Sequence, residues 1–367
     1  MNKRLYSLDV FRGITVAAMI LVNNPGSWDS VYTPLLHAHW HGCTPTDLIF
    51  PFFLFIVGVS IHFAYQPKLN EGLTSKTLIK IIRRSAIIFL LGLLLALVPK
   101  FNFETVRIPG VLQRISIVFL ICSLIYFKTN WLSQIRVVIV LLVGYFILMT
   151  AVPVPDFGAA NLEPETNLGA WLDRLLLGGH LWSQSKVWDP EGILGTIPAI
   201  ATGLLGILTG QLFSKVEAPA ERVTWLFFIG ALLIVVGLIW DLVFPINKAL
   251  WTSSYVLYAG GIAMQFFAAC YWLIDVQGIK KWCTPFIYYG TNAIFVFVAS
   301  GFLAKFLIRT KIGEGENEIS LWGYLYKNLY ASWLSPFNAS LAFAVTLILF
   351  FLLILWQMYK RKIFVKV

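Results

Sequence analysis

The chain has 367 residues, of which 58% are hydrophobic, 16% aromatic and only 13% charged, with a mean hydropathy of +0.77 and a formal net charge of +10. That composition excludes a water-soluble domain and describes an all-α polytopic membrane protein whose bases face anionic lipid, so no nucleic-acid partner is needed to explain the charge. Its four cysteines, Cys43, Cys122, Cys270 and Cys283, lack CxxC or zinc-ribbon spacing and read as packing residues.

Ten segments approach the about 20 apolar residues that a membrane-crossing helix requires: 7–24, 46–66, 84–100, 108–127, 134–152, 192–213, 223–243, 252–274, 284–307 and 339–359. The first contains Asp9 and Arg12 and no small-residue cleavage site, which predicts a retained helix rather than a signal peptide. Asp9 and Arg12 are three apart, share a helical face and can neutralise each other. At the far end of this span Asn23 and Asn24 suit caps or turns, although an amide there can also orient a reacting carbonyl.

The connection to the second span, running from His37 through Ala38, His39, Trp40 and His41 to Asp47, holds three of the five histidines. Histidine exchanges a proton near neutrality, its unperturbed pKa being about 6.5, so the stretch places titratable chemistry at a membrane face. His37 and His41 would share a helical face, and an extended segment would point all three histidines the same way, so either geometry suits zinc. No fourth ligand at familiar spacing follows and HExxH is absent, which argues against a metal site, and His39 and His41 read as wet loop residues. Asp47 is positioned to cap the second helix or to hold a histidine tautomer. His62 reads as a polar group between helices and His180, beside Gly178 and Gly179, as a loop residue.

The fourth span begins with Gln113 and Arg114 just after Pro109 and Gly110, with no carboxylate nearby in sequence. An intramembrane arginine calls for an anion, either a ligand such as a diphosphate or a carboxylate such as Asp9 on another span. The outer loops near 153–191 and 308–338 are too long to be simple connectors. The first ends in Trp188-Asp189-Pro190-Glu191-Gly192, whose acidic and aromatic residues suit a sugar or amine. A capping role for Asp189, with Pro190 at the first helical position, fits equally well. No repeat or flexible linker interrupts the chain, which predicts a single membrane domain over 1–367.

Lys and Arg alternate across the ten spans as the positive-inside rule requires when both termini are cytoplasmic, with bases from Lys3 and Arg4 to Lys366 on the inner side. The histidine-bearing loop then faces the extracytoplasmic side, and no Lys or Arg occurs in it between Asn24 and Thr46.

Several ordered blocks carry a family resemblance: Leu8-Asp9-Val10-Phe11-Arg12-Gly13, Leu21-Val22-Asn23, His37 to Gly42 running on to Asp47-Leu48-Ile49-Phe50-Pro51, Gly110-Val111-Leu112-Gln113-Arg114, Asp189 to Thr196, and Asn247-Lys248-Ala249-Leu250-Trp251-Thr252-Ser253-Ser254-Tyr255. Together with Thr284-Pro285-Phe286 and Gly290-Thr291-Asn292 they resemble the heparan-α-glucosaminide N-acetyltransferase family and its bacterial relatives within the transmembrane acyltransferase superfamily. The lumenal domain that precedes the spans in the animal members is not matched, which leaves a polymeric heparan-type acceptor in question.

The resemblance implies acetyl-CoA as cytoplasmic donor, an amino-sugar amine across the membrane as acceptor, a homodimer, and placement in a bacterial cytoplasmic (inner) membrane. It puts the active histidine on His37, the matching asparagine on Asn23 and the buried arginine on Arg114. Acetyl transfer needs a base for the amine proton and donors for the thioester oxyanion, so His37 would be base or transient acetyl acceptor, Asn23 a carbonyl donor and Asp47 the orienting carboxylate. Arg114, with Gln113, Arg12 and Lys248, would meet the CoA moiety. An O-acetyltransferase of a periplasmic glycan would use the same base and donor. A solute transporter or flippase would instead line a path with the intramembrane charges.

Overall fold

The computed structural model describes residues 5–98, 100–313 and 318–365 and is almost entirely helical. Lys3, Arg4 and Lys366, counted above as inner bases, lie outside the described residues. The chain forms two compact units, one made of 1–37, 44–49 and 273–367, the other of 38–43 and 50–272.

The first unit is built on α1 (Tyr6–Asn23). Its later elements are α10 (Thr284–Thr291), α11 (Ala293–Arg309), a short antiparallel hairpin of β1 (Lys311–Ile312) and β2 (Ile319–Ser320), α12 (Leu321–Tyr326) and α13 (Pro336–Lys360). Glycine lets α1 and α10 touch backbone to backbone: a Cβ on Gly13 would stand 1.8 Å from the Phe286 carbonyl oxygen, and one on Gly290 2.0 Å from that of Asp9. Small residues at such crossings are the usual means of close helix packing in a bilayer, where burial of apolar surface supplies little drive.

The second unit contains α2 (Ile49–Tyr65, from its second residue), α3 (Ser75–Leu97), α4 (Val111–Lys128), α5 (Trp131–Ala151), α6 (Leu168–Leu177), α7 (Thr196–Lys215), α8 (Pro219–Asp241) and α9 (Ser253–Tyr271). Side-chain oxygens start several of these helices: Thr74, Asn130 and Asn167 accept from the amides of Thr77, Ser133 and Ala170. α2 and α7 meet through glycine, since a Cβ on Gly58 would lie 1.9 Å from the Gly203 carbonyl oxygen and one on Gly206 2.0 Å from that of Phe55. Beside them His62 is bonded on both nitrogens, Nδ1 to the Tyr126 hydroxyl at 2.9 Å and Nε2 to the Ser214 hydroxyl at 2.8 Å.

Among the described residues eight helices are long and apolar enough to cross a membrane, and a ninth arises if α10 and α11 count as one. Three of the ten expected spans therefore need correction. The segment 284–307 is broken at Asn292, where α10 and α11 meet at 73°. The third helix starts nine residues earlier than expected, because Thr74 caps it, and it is the one expected span that is not among the helices apolar enough to cross, since Lys76, Lys80, Arg83 and Arg84 lower its hydropathy without stopping the helix. The sixth span begins at Thr196 with Gly195 before it, so Asp189 and Pro190 stand outside the helix and do not cap it. The two long loops near 153–191 and 308–338 contain regular structure, the first α6 and the second the hairpin and α12.

Candidate active site

His37 and Asp47 come together in the first unit. A tight 3-10 turn over Pro45–Leu48 leads into α2, and Thr44 before it forms a capping box with Asp47. One carboxylate oxygen of Asp47 accepts from the Thr44 amide at 2.9 Å and lies 3.0 Å from its hydroxyl, while the other is 2.7 Å from His37 Nδ1. The Thr44 hydroxyl is also 2.7 Å from the Leu36 carbonyl, so the chain before His37 is tied to the turn that carries Asp47. A carboxylate only accepts, hence Nδ1 carries the proton in this contact, which is the tautomer whose lone pair is on Nε2. The burial is unequal: the Asp47 side chain is 1% exposed and that of His37 48%. A buried, fixed carboxylate behind a half-exposed imidazole is an arrangement that can take a proton from an incoming group.

The other expected residues of this unit lie elsewhere. Asn23 is the exposed last residue of α1, whereas Asn24 is buried and donates to the Ile20 carbonyl. Arg12 is bonded to Asp9 at 3.2 Å and to the Gly290 carbonyl at 3.3 Å, the mutual neutralisation expected from their spacing.

In the second unit His39 is exposed and His41 has Asn247 at 3.3 Å. Arg114 is 1% exposed, in the first turn of α4. Its Nη2 donates to the Gly192 carbonyl at 2.9 Å and its guanidinium lies 5.1 Å from the Trp251 ring centre, but Nε and Nη1 have no hydrogen-bond partner among the described residues. Two orphaned cationic donors in a buried site fit an anion better than a packing role. Gln113 is also buried, its amide packed where Gly92 and Gly110 leave out a side chain. Lys248 is half-buried in the turn between Asn247 and Trp251. That turn is held by Asn247, whose side chain accepts from the Leu250 amide, and it forces Trp251 to a φ of 56°, a conformation that side-chain-bearing residues rarely adopt. Sequence reasoning did not single out Trp251, which is fully buried between Phe50, Tyr255 and Arg114.

Near the mouth of α7 the acids have different fates. Arg107 donates through Nε to Asp189 at 2.8 Å and through Nη2 to both Asp189, at 2.5 Å, and Glu191. Burial works against the charge of Arg107, but these two carboxylates overcome it and hold the guanidinium protonated beyond its usual range. Asp189 and Glu191, the residues expected to meet an amine, are thus already paired. Asp173 of α6, not picked out from sequence, is 2% exposed and accepts from the Ile193 amide at 2.9 Å. Burial pushes its carboxyl up to about 6. With Asp189 it lines a cleft walled by Trp40, Trp188, Asn167 and Gly192.

Comparison with known proteins bears on what these groups serve. The profile of the family described as "Heparan-alpha-glucosaminide N-acetyltransferase, catalytic" matches residues 4–238. Two curated relatives align over 99% of the chain: heparan-alpha-glucosaminide N-acetyltransferase of Mus musculus at 27% identity and of Homo sapiens at 29%. The chain spans 60% of the length of each. It belongs to the heparan-alpha-glucosaminide N-acetyltransferase catalytic family.

Proposed function

We propose that the protein is a transmembrane N-acetyltransferase that moves the acetyl group of cytoplasmic acetyl-CoA to the amine of a glucosamine-type sugar on the other side of the membrane. The observation that carries this reading is the His37–Asp47 pair, in which the buried carboxylate fixes Nδ1 of a half-exposed imidazole. In the reaction the amine nitrogen attacks the thioester carbon, the new C–N bond forms as the C–S bond breaks, and CoA leaves as its thiolate. His37 Nε2 takes the amine proton, and Asp47 stabilises the imidazolium as it forms. Asn23, with an exposed amide at the end of α1, is assigned to the thioester carbonyl.

Arg114 is the principal contact for an anionic group of the donor, because its buried Nε and Nη1 have no hydrogen-bond partner among the described residues. Gln113, beside it, and Lys248, in the turn leading to Trp251, are assigned to the same moiety. Arg12, held by Asp9, contributes more weakly. The inner position of the basic loops supports a histidine loop on the extracytoplasmic face of a bacterial inner membrane. A homodimer completes this reading, to be checked by mass in detergent.

The test is transfer of label from acetyl-CoA to glucosamine by the purified protein in liposomes, beside His37→Ala. Label on the sugar that disappears in the variant, with acetyl-CoA affinity retained, supports the assignment. Acetyl-CoA binding with label only on hydroxyl acceptors replaces it by O-acetylation, and absence of acetyl-CoA binding overturns it.

A further inference from the structure

Four helices of the second unit leave a groove between them. Glycine draws α8 onto α9: a Cβ on Gly261 would stand 2.5 Å from the Gly230 carbonyl oxygen, and one on Gly237 2.7 Å from the Tyr258 amide nitrogen. α5 packs on α7 instead. Between the two pairs lies a cavity of about 720 Å³, a size that suits a bound ligand. Its wall runs from Trp131 to Val143 on α5 and from Lys215 back to Leu205 on α7. That is about 15–18 Å of helix rise, comparable with the about 15 Å of hydrocarbon in one leaflet of a bilayer.

The groove carries charge at one end only. Lys215, the last residue of α7, is its single charged lining residue, and the ammonium stands 4.4 Å from the ring centre of Trp131, the first residue of α5. Lys215 forms no ion pair among the described residues. One turn deeper, Gln211 donates to Gln134 at 3.1 Å, and its own side-chain oxygen has no partner among the described residues. The Thr209 hydroxyl is spent on the Leu205 carbonyl at 2.7 Å, and the remaining lining is aliphatic or aromatic. Ile139, Val143 and Val236 line the groove and are nonetheless exposed, so it opens sideways through apolar side chains, where a membrane-crossing bundle meets lipid.

We propose that this groove holds an acidic phospholipid of the bilayer, its phosphate on Lys215 beside Trp131, its glycerol at the level of Gln211 and one acyl chain laid between α5 and α8. An apolar cavity stays dry and takes up hydrocarbon. A tail gains little by leaving other tails for an apolar wall, so any preference among lipids must arise at the charged end. Polarity falls along the groove from ammonium to amide to hydrocarbon, the order of headgroup, glycerol and chain in a phospholipid. Lysine paired with tryptophan at helix ends is also what the membrane interface favours. The site does not depend on the acetyltransferase reading.

The experiment is native mass spectrometry of the full chain, purified in detergent and offered equal amounts of phosphatidylglycerol and phosphatidylcholine with the same acyl chains. The wild type is expected to retain phosphatidylglycerol in about fivefold preference, the effect of one lysine at an anionic headgroup. Lys215→Gln should abolish the preference, whereas Lys76→Gln, which removes the same charge from the first turn of α3, should keep it. Leu233→Trp, which fills the groove, should lose the retained lipid, and Leu232→Trp, on the exposed side of α8, should not. Equal retention of the two lipids by the wild type, or an unaltered preference in Lys215→Gln, overturns the proposal. So does an unchanged lipid count in a Leu233→Trp variant that falls from dimer to monomer, since the groove would then seat a second copy of the chain. Lys215→Gln alters only an exposed helix end, so the test stands even where Leu233→Trp fails to fold.

Discussion

Asp47→Asn separates the two jobs of the Asp47 carboxylate. In the native protein one oxygen caps the turn through Thr44 and the other accepts from His37 Nδ1 at 2.7 Å. Asparagine can keep its amide oxygen on the Thr44 amide, which leaves its NH2 group facing His37. The ring must then accept at Nδ1, so its proton moves to Nε2 and the lone pair that would take the amine proton is lost. A positioned general base contributes about 10²–10⁴ to the rate, equivalent to about 3–5 kcal/mol of the barrier, so kcat should fall by about that factor. The cap survives, so the cost in stability should stay near or below about 1 kcal/mol. The assay is acetyl transfer to glucosamine in liposomes, with acetyl-CoA binding and thermal unfolding measured on the same preparation. A variant that keeps kcat within about threefold of wild type, folded and saturated with acetyl-CoA, would refute the role assigned to the dyad.

Three further outcomes follow from the second unit. Arg107→Met strands the buried carboxylates of Asp189 and Glu191 and should destabilise the protein by about 3–5 kcal/mol in detergent unfolding; Glu191→Gln, which leaves the Arg107–Asp189 pair, should cost clearly less. Asp173, raised from 3.8 to about 6, keeps its proton in the fold after the unfolded chain has lost it. Its ionisation therefore costs nothing below about pH 4, and the penalty grows between the two values to about 3 kcal/mol above pH 6. The stability of Asp173→Asn relative to wild type should rise over that window and then level off; a difference that does not change with pH would contradict it. Gly58→Ala drives a methyl group into the Gly203 carbonyl and should cost about 1–3 kcal/mol in the same unfolding assay, whereas Gly144→Ala, in open space, should be neutral.

What the sequence revealed follows the range of the interaction concerned. Apolar length alone located nearly every span, because the cost of exposing backbone in hydrocarbon leaves few alternatives to a helix. The break at Asn292 was hidden because the apolar run continues on both sides of it, and the true start of α3 because four bases dilute its first turns. His37 and Asp47 were visible as a pair because they are ten residues apart and Asp47 opens a helix with a recognisable capping pattern. The pairing of Arg107 with Asp189 and Glu191, more than 80 positions away, left no local trace, and so the acids nearest the tryptophans were the natural choice for an amine. Asp173 sits on the short amphipathic α6, where an acid beside Arg174 reads as part of a wet face. It is covered by the later segment around Gly192 and Ile193, about 20 residues on.

The Arg107 cluster also sets an order of events during synthesis. Asp189 follows Arg107 by 82 residues, so at ribosomal speeds of about 5–20 residues per second the guanidinium is made about 4–16 s before its first carboxylate. Throughout that interval α4, α5 and α6 are being laid down without the link that later fixes the turn before α7. Closure of the cluster is therefore a late step of biogenesis, and a nascent chain that stalls before Asp189 presents quality control with an unmatched cation rather than a finished fold.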